Sequence, residues 1–506
     1  MHKYGNKKGW GKMRQLRENE LFNDMDMAEQ YLPIVKTGLN PTSAPKNIII
    51  IGAGMTGLVA GSLLKEAGHS VTIIEGNDRV GGRVYTVREP FVGEDYIDVG
   101  AMRIPADHRL TMGYIEKFKL PVNPFINNSP DDLLHTNHVT LTRQQYEKKP
   151  ELFDYPLPPH EQGKTATELF QKAVDPFLSL YEQSTPEQKR ELIAYYDRYS
   201  MENFLRHNPI GLQLSSQAVR KIKVLLGIEG FPELSFLNIL TDIVGTVFNG
   251  KKKFYEITGG NDRLPTSFLP LLSDDIHLGV TANRIIQRSD GVTVHCQNGQ
   301  AGNFEWYEGD LLLTTIPFPV FQFIEVLPHH TIRFMKRKAI HEMHHVASTK
   351  IAMQFKNKFW EEQGLLGSNI ISDLTTRFTY TPSHGIGTPG PGILLVSYSW
   401  GENATPWDAL PEREKVKQAL QGLAKFFGNQ VYEQFLTSFA FSWNLNPFSA
   451  GCFTLFKPNQ ITEFSQVIKE PEGRIHFAGE QTSSHHGWIE GAIESGIRAA
   501  LEMNRR

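Results

Sequence analysis

The stretch from Asn47 to Val84, NIIIIGAGMTGLVAGSLLKEAGHSVTIIEGNDRVGGRV, decides the fold. Ile48 to Ile51 reads as a buried parallel strand, because four β-branched residues run without alternation and a glycine ends them. Gly52-x-Gly54-x-x-Gly57 follows, then a helix to about Ala67 with Gly68 as its stop, then a second strand, Val71 to Ile74, that ends in Glu75. Each part has a mechanical reason. Gly52 permits the tight turn, Gly54 lets a pyrophosphate approach the backbone, and Gly57 lets the helix pack on the strand. Met55 and Thr56 sit at the helix N-terminus, whose dipole faces the phosphates. Glu75 can accept hydrogen bonds from ribose hydroxyls. Strand, turn, helix, second strand and terminal acid all fall in place, which a lone glycine motif does not provide.

The rest of the composition narrows the class. A chain of 506 residues suggests about three structural units, at about 150 residues each. Lys and Arg number 52 against 55 Asp and Glu, a net charge of -3, so no nucleic-acid partner is expected. Two cysteines, Cys296 and Cys452, exclude a disulfide framework and suit a reducing compartment. The basic N-terminus carries no apolar core, so the reading is a cytoplasmic protein without a secretory signal. Asn47 to Leu64 holds no charge and imitates a membrane span. Its four glycines and its split into a β-like and a helix-like half favour the soluble reading, with no membrane partner.

Arg79-x-Gly81-Gly82-Arg83 follows the acid directly. This arrangement resembles the flavin-containing amine oxidase family. The resemblance implies FAD, with Gly76, Arg79, Gly82 and Arg83 against its diphosphate. The C-terminal stretch RIHFAGEQTSSHHGWIEGAIESGIRAA (474–500) carries the family's second signature. There Gly479 and Glu480 would meet the ribityl chain, and Gly487, Trp488, Ile489 and Ala492 would open a helix beneath the flavin ring. The resemblance implies an α/β fold: a discontinuous Rossmann-like FAD-binding domain, a mixed-sheet substrate-binding domain and a helical insertion.

Within the family the chain is similar to the L-amino acid oxidases, from about Tyr31 to the C-terminus. Asp98-Val-Gly-Ala-Met-Arg103-Ile-Pro105 carries that likeness. Gly100, Ala101, Met102 and Arg103 would lie beside the cofactor. The Arg103 guanidinium would fork onto a substrate carboxylate, a task suited to a permanently charged planar group. Tyr398 matches a second carboxylate ligand, and Lys350 matches a catalytic lysine that holds a water near the flavin. The Gly487 carbonyl would accept from the amine, and Phe453 and Trp488 would form two aromatic walls. Ala282 falls at an adenine contact and Trp443 near the flavin. Val244 stands where some animal members carry a mobile histidine, which argues against a histidine base, while Phe248 would line the pocket. The expected reaction converts an L-amino acid and molecular oxygen to a 2-oxo acid, ammonia and hydrogen peroxide. A decarboxylating amino-acid 2-monooxygenase and a non-enzymatic flavoprotein are the alternatives.

The expected FAD-binding segments are 43–105, 255–345 and 440–506. The substrate domain takes 1–42, 106–159 and 346–439, and the helical domain takes 160–254. A homodimer is the expected assembly. Cys452 aligns with the segment where monoamine oxidases bond the flavin covalently, yet the rest of the chain follows a branch that holds FAD without a bond. Non-covalent FAD is the expectation, and a thioether the alternative. One motif competes: His341-Glu342-Met343-His344-His345 fits H-E-x-x-H, which on a helix could bind zinc. No third ligand is evident near it, so no metal is expected.

Overall fold

The computed structural model describes residues 27–244, 252–299 and 302–506. Phe248 therefore lies outside the described residues. Five parallel strands form the central sheet: β1 (Asn47–Ile51), β2 (Ser70–Glu75), β3 (Ile276–Leu278), β4 (Leu311–Thr314) and β5 (Ile475–Phe477). Their order is β3-β2-β1-β4-β5, with Ile49 of β1 facing Thr72 on one side and Leu312 on the other. Ile48 to Ile51 are all buried, as the unbroken apolar run requires of a strand covered on both faces. Two helices, α1 (Met55–Glu66) and α2 (Ile489–Asn504), pack against each other beside the sheet. A Cβ on Gly496 of α2 would stand 2.8 Å from the Thr56 carbonyl of α1, so only glycine permits this approach.

The turn behaves as its residues dictate. Gly52 has φ +108°, a region closed to side chains. A Cβ on Gly57 would collide with the Gly52 carbonyl, so α1 can start flush against β1 only because position 57 is bare.

Two long excursions leave this sheet, one between β2 and β3 and one between β4 and β5. They build the remaining units. A seven-stranded mixed sheet runs in the order Phe435–Ser442, Ser348–Phe355, Gly392–Trp400, Phe378–Tyr380, Asn369–Ser372, Leu133–Thr136, Val139–Thr142. Its neighbours are antiparallel except Asn369–Ser372 beside Leu133–Thr136. The helical insertion comprises Ala166–Gln183, Pro186–Tyr196, Met201–Arg206 and Ser216–Leu225, started by the side-chain caps Thr165, Thr185, Ser200 and Ser215. Phe204 stacks on Phe236 within it, their centres 3.6 Å apart. It ends in a π-helical turn, Ile239–Val244.

Three details differ from the sequence expectation. The helices Met27–Thr37 and Arg109–Lys117, expected in the substrate domain, pack into the apolar core around β1, α1 and α2 instead. The strand Phe435–Ser442 crosses the expected boundary at 439/440, because it is the edge of the mixed sheet and pairs throughout with Ser348–Phe355. The H-E-x-x-H segment is not one helix. The helix Phe334–Glu342 stops at Glu342, and His345 starts a short strand paired to Phe453–Thr454. His341 and His345 therefore share no helical face. No helix among the described residues is long and apolar enough to cross a membrane.

Replacing Gly57 by Ala is expected to lower stability by about 3 kcal/mol, since the added methyl has no room without moving α1 off β1. Denaturant melts of the two proteins check this. Equal midpoints would show that the helix shifts freely.

Candidate active site

One cavity of about 370 Å³ opens at the carboxyl ends of β1 and β2 and runs to the mixed sheet and the helical insertion. The glycine turn, Glu75 to Asn77, the Arg79–Arg83 loop, the Gly100–Arg103 loop, Ala282 and the start of α2 all line it. Glu75 is clamped beneath the turn. Its Oε2 accepts from the Ala53 N–H at 2.8 Å and its Oε1 from the Asn77 N–H at 2.8 Å. The Gly81 N–H donates to the Ala53 carbonyl at 2.9 Å. Gly54 and Gly82 thereby meet face to face: a Cβ on Gly82 would lie 3.2 Å from the Gly54 Cα. Arg79 braces the loop from behind, donating to the Gly82 carbonyl at 2.9 Å and lying over the Tyr85 ring at 3.8 Å.

Arg83 crosses to the other end of the chain. Its Nη1 donates to Glu480 Oε2 at 2.9 Å and to the Cys452 carbonyl at 3.1 Å. Glu480 Oε1 accepts from the Thr454 and Gly487 N–H groups, each at 2.8 Å. Burial alone would raise the Glu480 carboxyl, but Arg83 and these donors hold it below the ordinary range. The bare glycine faces, the two helix N-termini and Arg83 form a cradle for a pyrophosphate between two sugars, and Glu75 stands at its rim. These residues fit FAD.

The Gly100–Arg103 loop is held from two sides. Lys350 Nζ donates to the Asp98 carbonyl at 3.0 Å and the Gly100 carbonyl at 2.7 Å, and Trp443 Nε1 donates to the Val99 carbonyl at 2.9 Å. Asn261 Nδ2 also donates, to the Ala101 carbonyl at 2.9 Å. Lys350 and Tyr398 are cross-strand partners, which puts the ammonium 4.4 Å from the Tyr398 ring centre. Burial, opposed by Asp98, holds Lys350 down to about 7, and burial pushes Asp98 up to about 7. Burial likewise raises the Tyr398 phenol, so it remains a donor at ordinary pH.

The Arg103 guanidinium, 8 % exposed, lines the cavity. Its one side-chain hydrogen bond among the described residues is to Asn127 Oδ1, at 2.6 Å. The rings of Phe254 and Tyr380 flank it at 5.9 Å.

The structure gathers most of the expected residues into this cavity. Tyr398, Trp443, Phe453, Glu480, Gly487, Trp488, Ile489 and Ala492 line it, as do Met55, Thr56, Gly76 and Met102. Gly57 and Gly479 do not. Both carry packing instead, Gly57 against β1 and Gly479 through its N–H to Ser495 Oγ at 3.0 Å. Lys350 sits one layer back, behind Gly100 and Tyr398.

The comparisons agree with the geometry. The model of the flavin containing amine oxidoreductases matches residues 55–504. The chain belongs to this family. A second family, the pyridine nucleotide-disulphide oxidoreductases, matches residues 5–89, the part that carries the glycine turn. YobN of Bacillus subtilis (strain 168) is 42% identical over 487 residues, covering 96% of this chain and 99% of that protein. An L-amino-acid oxidase of Siganus canaliculatus is 34% identical, covering 96% and 89%. Among solved structures, the cyclohexylamine oxidase from Brevibacterium oxydans IH-35A shares the fold at a TM-score of 0.72 and 22% identity, covering 91% of this chain and 99% of that one. As a member of the family, the protein is an FAD-dependent oxidoreductase.

Sequence reading missed Trp400, Phe231, Thr315 and His486, all of which line the cavity of this flavoprotein. Trp400 carried a usable signal, standing two residues beyond Tyr398 on one strand and so on the same face. Phe231 carried none, since a loop brings it in from the helical insertion.

Lys350 yields a pH prediction. Its folded pKa, about 7, lies below the ordinary 10.5, so the unfolded chain binds the extra proton between those values. Stability contributed by this group therefore rises with pH across that window. Lys350→Met should flatten the slope by about 1.4 kcal/mol per pH unit. Denaturant melts at pH 7.5 and 9 read this, and an unchanged slope would place the ammonium in contact with water.

Proposed function

We propose that this flavoprotein oxidises L-amino acids with molecular oxygen and water, giving a 2-oxo acid, ammonia and hydrogen peroxide. The observation that carries the reading is the Arg103 guanidinium, buried at the cavity wall with no carboxylate partner among the described residues. A buried cation without a counter-charge is costly, and an α-carboxylate removes that cost through two parallel hydrogen bonds. The Siganus canaliculatus relative, named an L-amino-acid oxidase, supports the same substrate class.

The division of labour follows from the elements. Arg103 binds the carboxylate and Tyr398 donates its phenol to it. The Gly487 N–H is occupied by Glu480, which leaves the Gly487 carbonyl to accept from the amine. Phe453 and Trp488 confine the amine between them. Lys350 keeps the Arg103 loop in place through the Asp98 and Gly100 carbonyls, and in this reading its amine holds a water near the flavin. Bound in the cradle, FAD supplies the two-electron acceptor, and the chain contributes positioning and exclusion of water.

FAD is held without a covalent bond in this reading. The Cys452 thiol donates to the Val346 carbonyl at 3.0 Å, and burial raises it far above the range in which a thiolate forms. Two free cysteines support a cytoplasmic location. Phe304 and Trp306, 73% and 68% exposed on one face of the strand Phe304–Gly309, suit a homodimer in which a second copy covers them. We keep three units, with the last boundary moved beyond Ser442 and the helices Met27–Thr37 and Arg109–Lys117 assigned to the FAD unit, whose core they join.

Arg103→Ala should lower kcat/KM on L-amino acids by about two to three orders of magnitude at normal FAD content, as expected for losing a desolvated charge-assisted fork. A peroxide assay measures it, with analysis of the organic product separating 2-oxo acid from a decarboxylated amide. Unchanged kinetics would remove the carboxylate assignment. Acid precipitation tests the cofactor linkage: the pellet should be colourless and the supernatant yellow. A yellow pellet that turns colourless in Cys452→Ala would demonstrate the thioether.

A further inference from the structure

The far wall of the cavity is a chain of rings. Trp400 lies 4.4 Å from Tyr398 and 5.5 Å from Phe231, centre to centre, and Phe231 lies 6.2 Å from Phe453. The wall is rigidly backed. Phe231 follows Gly230, whose backbone presses on the end of the strand Gly392–Trp400. A side chain on Gly230 would reach within 2.5 Å of the Trp400 carbonyl, and one on Gly401 would collide with the Gly230 carbonyl. The loop of the helical insertion and the strand of the mixed sheet are thus locked backbone to backbone where the two rings meet.

Behind the indole lies a second void of about 10 Å³, lined by Glu229, Arg377, Ser372, Asn403 and the other side of Trp400. Arg377 pairs there with Glu229 and donates to Asn403 Oδ1 at 3.1 Å. Trp400 is the partition between an apolar compartment and a polar seam.

We propose that Trp400, braced by Phe231, is the specificity-determining residue of this enzyme: it caps the side-chain compartment, admitting L-amino acids with apolar side chains up to a benzyl group and refusing longer ones. The proposal rests on the amino-acid oxidase reading. A longer side chain must displace an indole held by Phe231 and Phe378, the latter 5.3 Å away. Packed interiors resist such displacement. A charged side chain that passed it would also have to part Arg377 from Glu229.

The test compares L-leucine, L-phenylalanine and L-homophenylalanine in the FAD-loaded protein. In the wild type, kcat/KM should fall at least tenfold from L-phenylalanine to L-homophenylalanine, the scale of pocket discrimination for one methylene. Trp400→Leu should raise the ratio of L-homophenylalanine to L-leucine at least tenfold, and Phe231→Leu should move it the same way. Calorimetry with phenylacetate, 3-phenylpropionate and 4-phenylbutyrate, which carry no amine to oxidise, reads the cap without turnover. The longest acid should gain affinity in Trp400→Leu. A wild type that takes all three amino acids equally overturns the proposal even if the variants do not fold. So does a folded Trp400→Leu protein with unchanged ratios and unchanged affinities. If the wild type yields no peroxide from any L-amino acid, the oxidase reading fails instead, and the carboxylate series still reports whether Trp400 limits length.

Discussion

The Arg83–Glu480 ion pair ties the site together. Arg83 belongs to the loop that follows β2, and Glu480 to the turn that follows β5, 397 residues further along the chain. Through one carboxylate, Arg83 is joined to the Thr454 and Gly487 amides, and so to the Cys452–Phe453 wall and to the start of α2. Glu480 is almost wholly buried, and a buried carboxylate stays charged only when paired and hydrogen-bonded, so the pair brings both signatures into one cradle. Losing Arg83 would leave an uncompensated charge at the centre of the cofactor site. This interaction also explains why the two excursions can be so long. The ends of the FAD unit are fastened to each other across the cofactor cradle.

The second constraint is the loop from Asp98 to Arg103, which has little regular structure of its own. Three donors from three distant segments hold its carbonyls: the Lys350 ammonium, the Trp443 indole and the Asn261 amide. Backbone carbonyls inside a protein must be bonded, and here side chains do what a sheet would otherwise do. The loop can therefore present Arg103 as a fixed cation toward the cavity. Lys350 is best understood in this light. Its position in the strand Ser348–Phe355 sets it opposite Tyr398, so one strand register fixes the donor to the loop and the phenol in the pocket together.

Much of this was legible in the residues. The Gly52–Gly57 turn reads correctly because backbone geometry is local: only glycine takes φ +108°, and only glycine lets α1 meet β1. Arg103 and Glu480 were legible through the likeness of their motifs to the family, with the apolar neighbours of Arg103 arguing against a surface salt bridge. Gly479 was read as a cofactor contact and its N–H is bonded to Ser495 Oγ, since a glycine that serves packing and one that serves a ligand look the same in one dimension. The H-E-x-x-H pattern, from which no metal was expected, illustrates the same limit of one dimension. Spacing marks a face only while the helix continues, and this helix stops at Glu342, where the chain turns to pair with Phe453 and Thr454.

The sequence alone determined the first strand, the glycine turn, its helix and the acid at the second strand end, since each depends on contacts within a few tens of residues, while the family likeness of both chain ends pointed to the cofactor class. The tertiary structure decided what the substrate end is made of. Arg103, Tyr398, Phe231, Phe453 and Trp488 come from five segments. Their meeting depends on the register of a mixed sheet and on a loop of the helical insertion seated against Gly401. The physical reason is range: backbone conformation answers to neighbouring residues, whereas a pocket wall is set by which buried faces find each other when the whole chain packs.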